Sequence, residues 1–151
     1  MSTGSGEGAS TPESLTVTDD LTPEQLAFLE DRIYEYNVAA TGIGDGRWLG
    51  VLVRDESGAV VAGLSGTTWG GCCKVRDVWV REDLRRRGLG TRMLDAAEAE
   101  ARRRGCGQVL LSSHSFQAPD FYRQRGFEVV AVIEDDPVGH REVYLRKRLD
   151  G

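Results

Sequence analysis

Val78-Trp79-Val80-Arg81-Glu82-Asp83-Leu84-Arg85-Arg86-Arg87-Gly88-Leu89-Gly90-Thr91-Arg92-Met93-Leu94 decides how this chain is read. An apolar, β-rich run passes into a basic turn with two glycines one residue apart, and the turn opens a helix. Strand, glycine turn and helix N-terminus in that order make an anion site. The free N–H groups of the turn and the positive end of the helix dipole point to one place. Gly88 and Gly90 put no Cβ between the backbone and a phosphate. Glycines in an ordinary turn merely reverse the chain, with arginines solvated around them. Here Arg85, Arg86 and Arg87 stand together in a chain of net charge −5, a local feature that turning alone does not require.

The 151 residues suit a single domain with a core of its own. With 40% hydrophobic and 28% charged residues the composition is that of a soluble globular protein. The acidic balance argues against general nucleic-acid binding, so the basic turn serves a local purpose. No apolar run reaches membrane-spanning length, and the first residues lack the apolar centre of a secretory signal. Cys72, Cys73 and Cys106 are odd in number, and their spacing suits neither a disulfide framework nor a zinc site. A reducing cytoplasm and no metal are expected.

In chain order, residues 1–13 are polar and read as a disordered tail, with one domain expected over 14–151. Ser14-Leu15-Thr16-Val17-Thr18 alternates like a short strand. Thr22-Pro23-Glu24-Gln25 then starts a helix, with Thr22 as N-cap, Pro23 in the first turn and Gln25 completing a capping box. Leu26, Leu29, Ile33 and Tyr34 are expected on its buried face, and the helix is expected to fail by Asn37. Three strands follow, Trp48 to Arg54, Ala59 to Trp69 and Cys72 to Val80, as an antiparallel meander turned at Asp55-Glu56-Ser57-Gly58 and Gly70-Gly71. Gly63 and Gly66 mark a bulge or a close approach.

After the glycine turn, Met93, Leu94, Ala97 and Ala101 share one helical face, with Glu98–Arg102 and Glu100–Arg104 spaced to pair on the other. Gln108 to Ser113 reads as a buried strand, parallel to the one before the turn by a right-handed crossover. A short helix opens at Pro119 and closes at Gly126, and strands Phe127 to Ile133 and Arg141 to Leu149 finish the chain. The fold class is α/β in the broad sense, α+β leaning to α/β, mainly antiparallel with one parallel junction beside the glycine turn. Ligands bind such sheets where the strand order changes.

Two segments resemble the GNAT superfamily of N-acetyltransferases. Arg85-Arg86-Arg87-Gly88-Leu89-Gly90 is similar to its R/Q-x-x-G-x-G/A turn, and Phe121-Tyr122-Arg123-Gln124-Arg125-Gly126-Phe127 to its F-Y-x-x-x-G-F segment. The resemblance covers about residues 14 to 149. It implies a mixed sheet of six or seven strands, splayed at the parallel junction, with helices on both faces. It further implies acetyl-CoA as cosubstrate. Arg85, Arg86, Arg87, Gly88, Leu89, Gly90 and Thr91 would wrap the pyrophosphate. Val78, Trp79 and Val80 would pair edge-on with the pantetheine amides, a cofactor acting as a β-strand. A strand N–H, that of Val78 or Trp79, would serve as oxyanion donor. Ser115 stands where many members carry an asparagine that touches the pantetheine arm, and His114 and Phe116 are placed to line the channel.

The resemblance also makes Tyr122 the expected general acid, since a phenol of pKa about 10 can protonate a departing thiolate. The alternative is a packed aromatic next to Phe121. Asp77, His140, the Glu134-Asp135-Asp136 cluster or a water chain are open as general base, and that acidic cluster would attract a cationic amine. Tyr34, Tyr36, Asn37 and Trp69 are candidates for the acceptor wall. Nothing marks a base beside Cys72 or Cys73, so direct transfer in a ternary complex is preferred to an acyl-cysteine. The acceptor is expected to be a small-molecule amine or a peptide or protein amine, with no nucleic-acid or membrane partner, and a homodimer is implied by resemblance. The rival readings are a non-catalytic acyl-CoA-binding or regulatory domain and a phosphate- or nucleotide-binding protein.

Overall fold

The structure, a computed structural model, describes residues 12–149, and the chain separates into two compact units that divide between Ala40 and Thr41. Most of the expected tail lies outside the described residues. In the first unit the expected strand at residues 14–18 does not form, and Leu15 and Val17 stand exposed. Alternation supplies a face but no partner edge, and a strand needs both. Helix α1 (Pro23–Thr41) starts as its capping box dictates. The Gln25 N–H donates to the Thr22 hydroxyl at 3.1 Å, and the Thr22 N–H donates to Gln25 Oε1 at 2.9 Å. It runs past Asn37, where Ala39 and Ala40 favour continuation, and Gly42, at φ +73°, follows its end. No residue of α1 is buried: Leu26, Leu29 and Ile33, expected inside, are exposed. Their unit contains no second element among the described residues to cover them.

The second unit is built on six strands, β1 (Arg47–Arg54), β2 (Val60–Trp69), β3 (Cys72–Val80), β4 (Gln108–His114), β5 (Glu128–Glu134) and β6 (Arg141–Arg148). Their order in the sheet is β1-β2-β3-β4-β6-β5, antiparallel throughout except for β3 beside β4. A 3-10 turn at Glu82–Leu84 precedes α2 (Leu89–Arg103), and α3 (Pro119–Gln124) follows β4. The Asp55 carboxylate shapes the first hairpin by accepting the N–H groups of Ser57 and Ala59. The Ser57 hydroxyl, which also donates to it, is the main reason its carboxyl lies below the usual range.

Helix α2 lays Met93, Leu94, Ala97 and Ala101 into the core against β1, β2 and β3, as their spacing predicts. Leu94, Ala97 and Ala101 pack there with Leu64, Cys73, Val75, Val109, Leu111 and Leu145. Glu98 departs from expectation. It lies on the same face as Leu94 and Ala101, three to four residues away, and is buried rather than paired with Arg102. Lys147 of β6 meets it with Nζ 3.0 Å from both carboxylate oxygens, tying helix to sheet. Glu100 pairs with Arg104 as the spacing predicts, and Arg104 reaches on to the Trp48 carbonyl and the Thr68 hydroxyl.

A buried carboxylate that loses its cation has nowhere to place its charge. Lys147→Met is therefore expected to lower the unfolding free energy at neutral pH by roughly 3 kcal/mol in urea titrations. Adding Glu98→Gln to that variant should recover part of the loss. A single substitution without measurable cost would contradict the pairing.

Candidate active site

The site begins as a defect in the sheet. Between β2 and β3 the register shifts, Ser65 facing Asp77 but Gly66 facing Val75, so Arg76 is an extra residue on β3. Gly66 permits this, because a Cβ there would lie 2.5 Å from the Lys74 carbonyl oxygen. On its other side β3 pairs with β4 for three residues only, Cys72 with Gln108, Cys73 with Val109 and Lys74 with Leu110. Beyond these the two strands part.

The opened edge of β3 has a definite polarity. Arg81 donates its N–H to the Val61 carbonyl, which makes Trp79 and Asp77 the hydrogen-bonded partners of β2. Val78 and Val80 accordingly direct their N–H and C=O groups into the gap. The Val80 carbonyl accepts from Arg85 Nε at 3.0 Å, so Arg85 anchors the turn to the strand end. Arg86 holds φ +64° and Gly88 φ +80°, left-handed conformations that curl successive N–H groups toward one side. For Arg86 this costs about 1 kcal/mol; Gly88 adopts it freely, with nothing within 4 Å of the place its Cβ would occupy. No side chain caps α2 at Gly88, so its first turn presents free donors.

Gap and turn open into one cavity of about 1160 Å³. Val78, Trp79, Val80, Arg85, Arg86, Gly88, Leu89, Gly90, Thr91 and Tyr122 line it, as do Asp77, His114 and Phe116. Arg87 and Ser115 are not among the lining residues. Ser115 instead closes a bridge with Arg141, donating its N–H to the Arg141 carbonyl and accepting the Arg141 N–H on its hydroxyl. Trp69 borders a separate small cavity beside Cys106 and donates its indole N–H to the Ile43 carbonyl. His140 packs edge-on against Phe116, which stacks in turn on His114.

Tyr122 is buried between Phe121 and Phe127, with ring centroids 5.2 and 5.8 Å away. Its alternative reading as a packed aromatic is thus half of the picture. The other half is that Tyr122 also borders the cavity, and burial alone pushes its phenol above the usual value. Arg125 and Glu142 are among the lining residues that escaped the sequence reading. Arg125 lies over the Phe121 ring at 4.6 Å and donates to the Thr91 hydroxyl at 2.9 Å, stitching α3 to the first turn of α2. Glu142 enters from β6, within the cavity wall. The Arg inside Phe121-to-Phe127 was a visible charge; Glu142 carried no local signal, because only the register of β6 against β4 brings it here.

The thiols are poorly suited to nucleophilic work. Burial pushes Cys73 up to about 11 and raises Cys72 and Cys106 as well. All three are free, and none lines the large cavity.

The sequence signature of the Acetyltransferase (GNAT) family matches residues 15–127. The chain belongs to this family. It is therefore an acyltransferase, of a family whose acetyl donor is acetyl-CoA. It is 29% identical over 135 residues to acetyltransferase Atu2258 of Agrobacterium fabrum, spanning 89% of this chain and 98% of that protein. The blasticidin-S acetyltransferase of Streptomyces morookaense is 37% identical over 95 residues, 62% of this chain and 70% of the relative. The crystal structure of an acetyltransferase from Bacillus cereus superposes with a TM-score of 0.74 at 29% identity, over 88% of this chain and 97% of the other. The six-stranded mixed sheet with helices is thus the GNAT fold. Among the described residues no helix is long and apolar enough to cross a membrane.

Because thiolate is the reactive form, Ellman's reagent at pH 8 is expected to label Cys72 slowly and Cys73 hardly at all in the folded protein. Rapid release of three equivalents without denaturant would contradict the burial described here.

Proposed function

We propose that this GNAT acyltransferase moves an acetyl group from acetyl-CoA directly to a primary amine, with Tyr122 as general acid. The observation that carries the reading is that Tyr122 borders the same cavity as the uncapped turn and the opened edge of β3. The residues present fit the cosubstrate: free N–H donors and Arg86 suit a pyrophosphate, and Val78 and Val80 offer a strand edge to an amide-bearing arm. Leu89, Gly90 and Thr91 complete the turn, Arg85 holds its shape, and Arg125 adds a cation beside Thr91. Trp79 directs its N–H to β2, so the oxyanion donor in this reading is Val78. Bound there, acetyl-CoA supplies an acyl group on a thiol leaving group.

Tyr122 is protonated at neutral pH, as a phenol ordinarily is, and burial raises its value further. The same desolvation raises the basicity of a thiolate released next to it, so acid and leaving group remain matched. The raised thiol values favour direct attack over an acyl-cysteine. The relative named for blasticidin S supports a small-molecule amine as acceptor. The three free cysteines accord with a cytoplasmic setting. Strand β5, at the free edge of the sheet, exposes Val129, Val130, Val132 and Ile133, which supports a homodimer closed over that edge.

Tyr122→Phe is expected to reduce turnover of acetyl-CoA with an accepted amine about 100-fold while coenzyme A still binds. Unchanged turnover would remove Tyr122 from the reaction. Should the unaltered protein bind coenzyme A yet acetylate no amine of a broad panel, the non-catalytic reading replaces this one.

A further inference from the structure

The face of the sheet opposite Tyr122 carries a second group of polar side chains that reaches the same cavity. Ser112 and His114 of β4 share that face with Glu142 and Tyr144 of β6, because Leu111, Ser113, Val143 and Leu145 alternate with them and are buried. The register sets His114 against Glu142 and Ser112 against Tyr144. The Ser112 hydroxyl donates to Glu142 Oε1 at 2.6 Å, and the Tyr144 hydroxyl reaches Oε2 at 3.4 Å. Asp136, from the loop between β5 and β6, lies 3.9 Å from His114 Nε2. One donor atom from each of His114, Asp136 and Glu142 lies within 4.8 Å of the others.

Two carboxylates this close repel unless a proton or a cation stands between them. Glu98, Glu100 and Glu128 are each paired with lysine or arginine. Among the described residues, Asp136 and Glu142 have no such partner. Ser112, His114 and Glu142 line the cavity; Asp136 backs them. The gap between β3 and β4 connects this face to the Tyr122 side, so a group held here addresses the thioester from the side away from the acid.

On the acetyl-transfer reading above, we propose that Glu142 receives the acceptor's ammonium and takes its proton, and that the acceptor carries a second positive charge, held by Asp136. The nitrogen loses two protons. One passes from the ammonium to the Glu142 carboxylate and on to solvent. The freed lone pair forms the C–N bond, the C–S bond breaks with its electron pair on sulfur, and Tyr122 protonates that sulfur. The second nitrogen proton restores the Tyr122 hydroxyl through water.

The surrounding charges agree with this order. The Ser112 hydroxyl, followed by Asp136, holds Glu142 below the ordinary carboxylate range, and the nearness of Glu142 raises Asp136. Glu142 therefore meets the ammonium as an anion. Desolvation in the gap once it is filled by the two substrates then lowers the ammonium's pKa and raises that of the carboxylate, which moves the proton. His114 of β4, Tyr144 of β6 and Asp136 of the loop are the titratable groups around Glu142, and Arg76 and Asp77 of β3 line the same cavity.

The test uses the full chain saturated with coenzyme A and three probes: 1,4-diaminobutane, butylamine and 4-aminobutanoate. Calorimetry should show the diamine binding most tightly and the amino acid least. Glu142→Gln, nearly isosteric, should weaken the diamine about tenfold, the loss of one charge-assisted pair. In turnover, Glu142→Gln should slow acetylation of the diamine about 100-fold at pH 7, with the deficit shrinking as pH rises and free amine replaces ammonium. A merely structural role predicts an equal deficit at every pH, and that result overturns the proposal. So does diamine binding that is absent, or unaffected by Glu142→Gln. A diamine that binds through Glu142 and is never acetylated contradicts the transfer reading of the preceding subsection and, with it, the proton step.

Discussion

The parting of β3 from β4 after three paired residues is the constraint on which the rest of the site depends. A sheet that stayed paired would satisfy the Val78 and Val80 backbone groups internally and leave no passage between its faces. The extra residue at Arg76, made possible by the missing side chain of Gly66, turns β3 away and leaves that edge open. Open backbone edges are usually a hazard. Here the edge ends in a turn whose own donors are also free, so in the proposed reading one elongated ligand with amides and phosphates would satisfy both.

In the proposed mechanism the gap also divides the labour. Tyr122 belongs to the packed side, where burial raises its phenol. Glu142 belongs to the opposite face, where the Ser112 hydroxyl, followed by Asp136, lowers its carboxyl. An acid and a base that act at one pH need different environments, and a sheet with a slot in it supplies two that border one cavity. The pair Glu98–Lys147 is a separate matter: it fixes α2 against β6, and so holds the first turn of α2 in place under the cavity.

Much of this was legible in the residues. The meander, the glycine turn, the buried face of α2 and the parallel junction each have a local signal of period, turn chemistry or capping, and each formed where expected. Signals that lacked a neighbour failed. Residues 14–18 alternate without a strand to join, and Leu26, Leu29 and Ile33 keep helical spacing without a surface to cover. Glu98 was read as a surface charge because its partner lies 49 residues away on another element. Glu142 was invisible for the same reason, since a lone acidic residue in a strand acquires meaning only through register. Ser115, placed by analogy with an asparagine, is taken up by its bridge to Arg141.

The central claim is that the cosubstrate lies in the slot as an added strand on β3. Residue-resolved amide hydrogen exchange with and without coenzyme A tests it most directly. The account predicts that coenzyme A slows exchange at Val78 and Val80 and across Gly88 to Thr91, while Trp79, already bonded to β2, is little changed. Protection that spares Val78 and Val80, or that falls on Trp79 in their place, would contradict it.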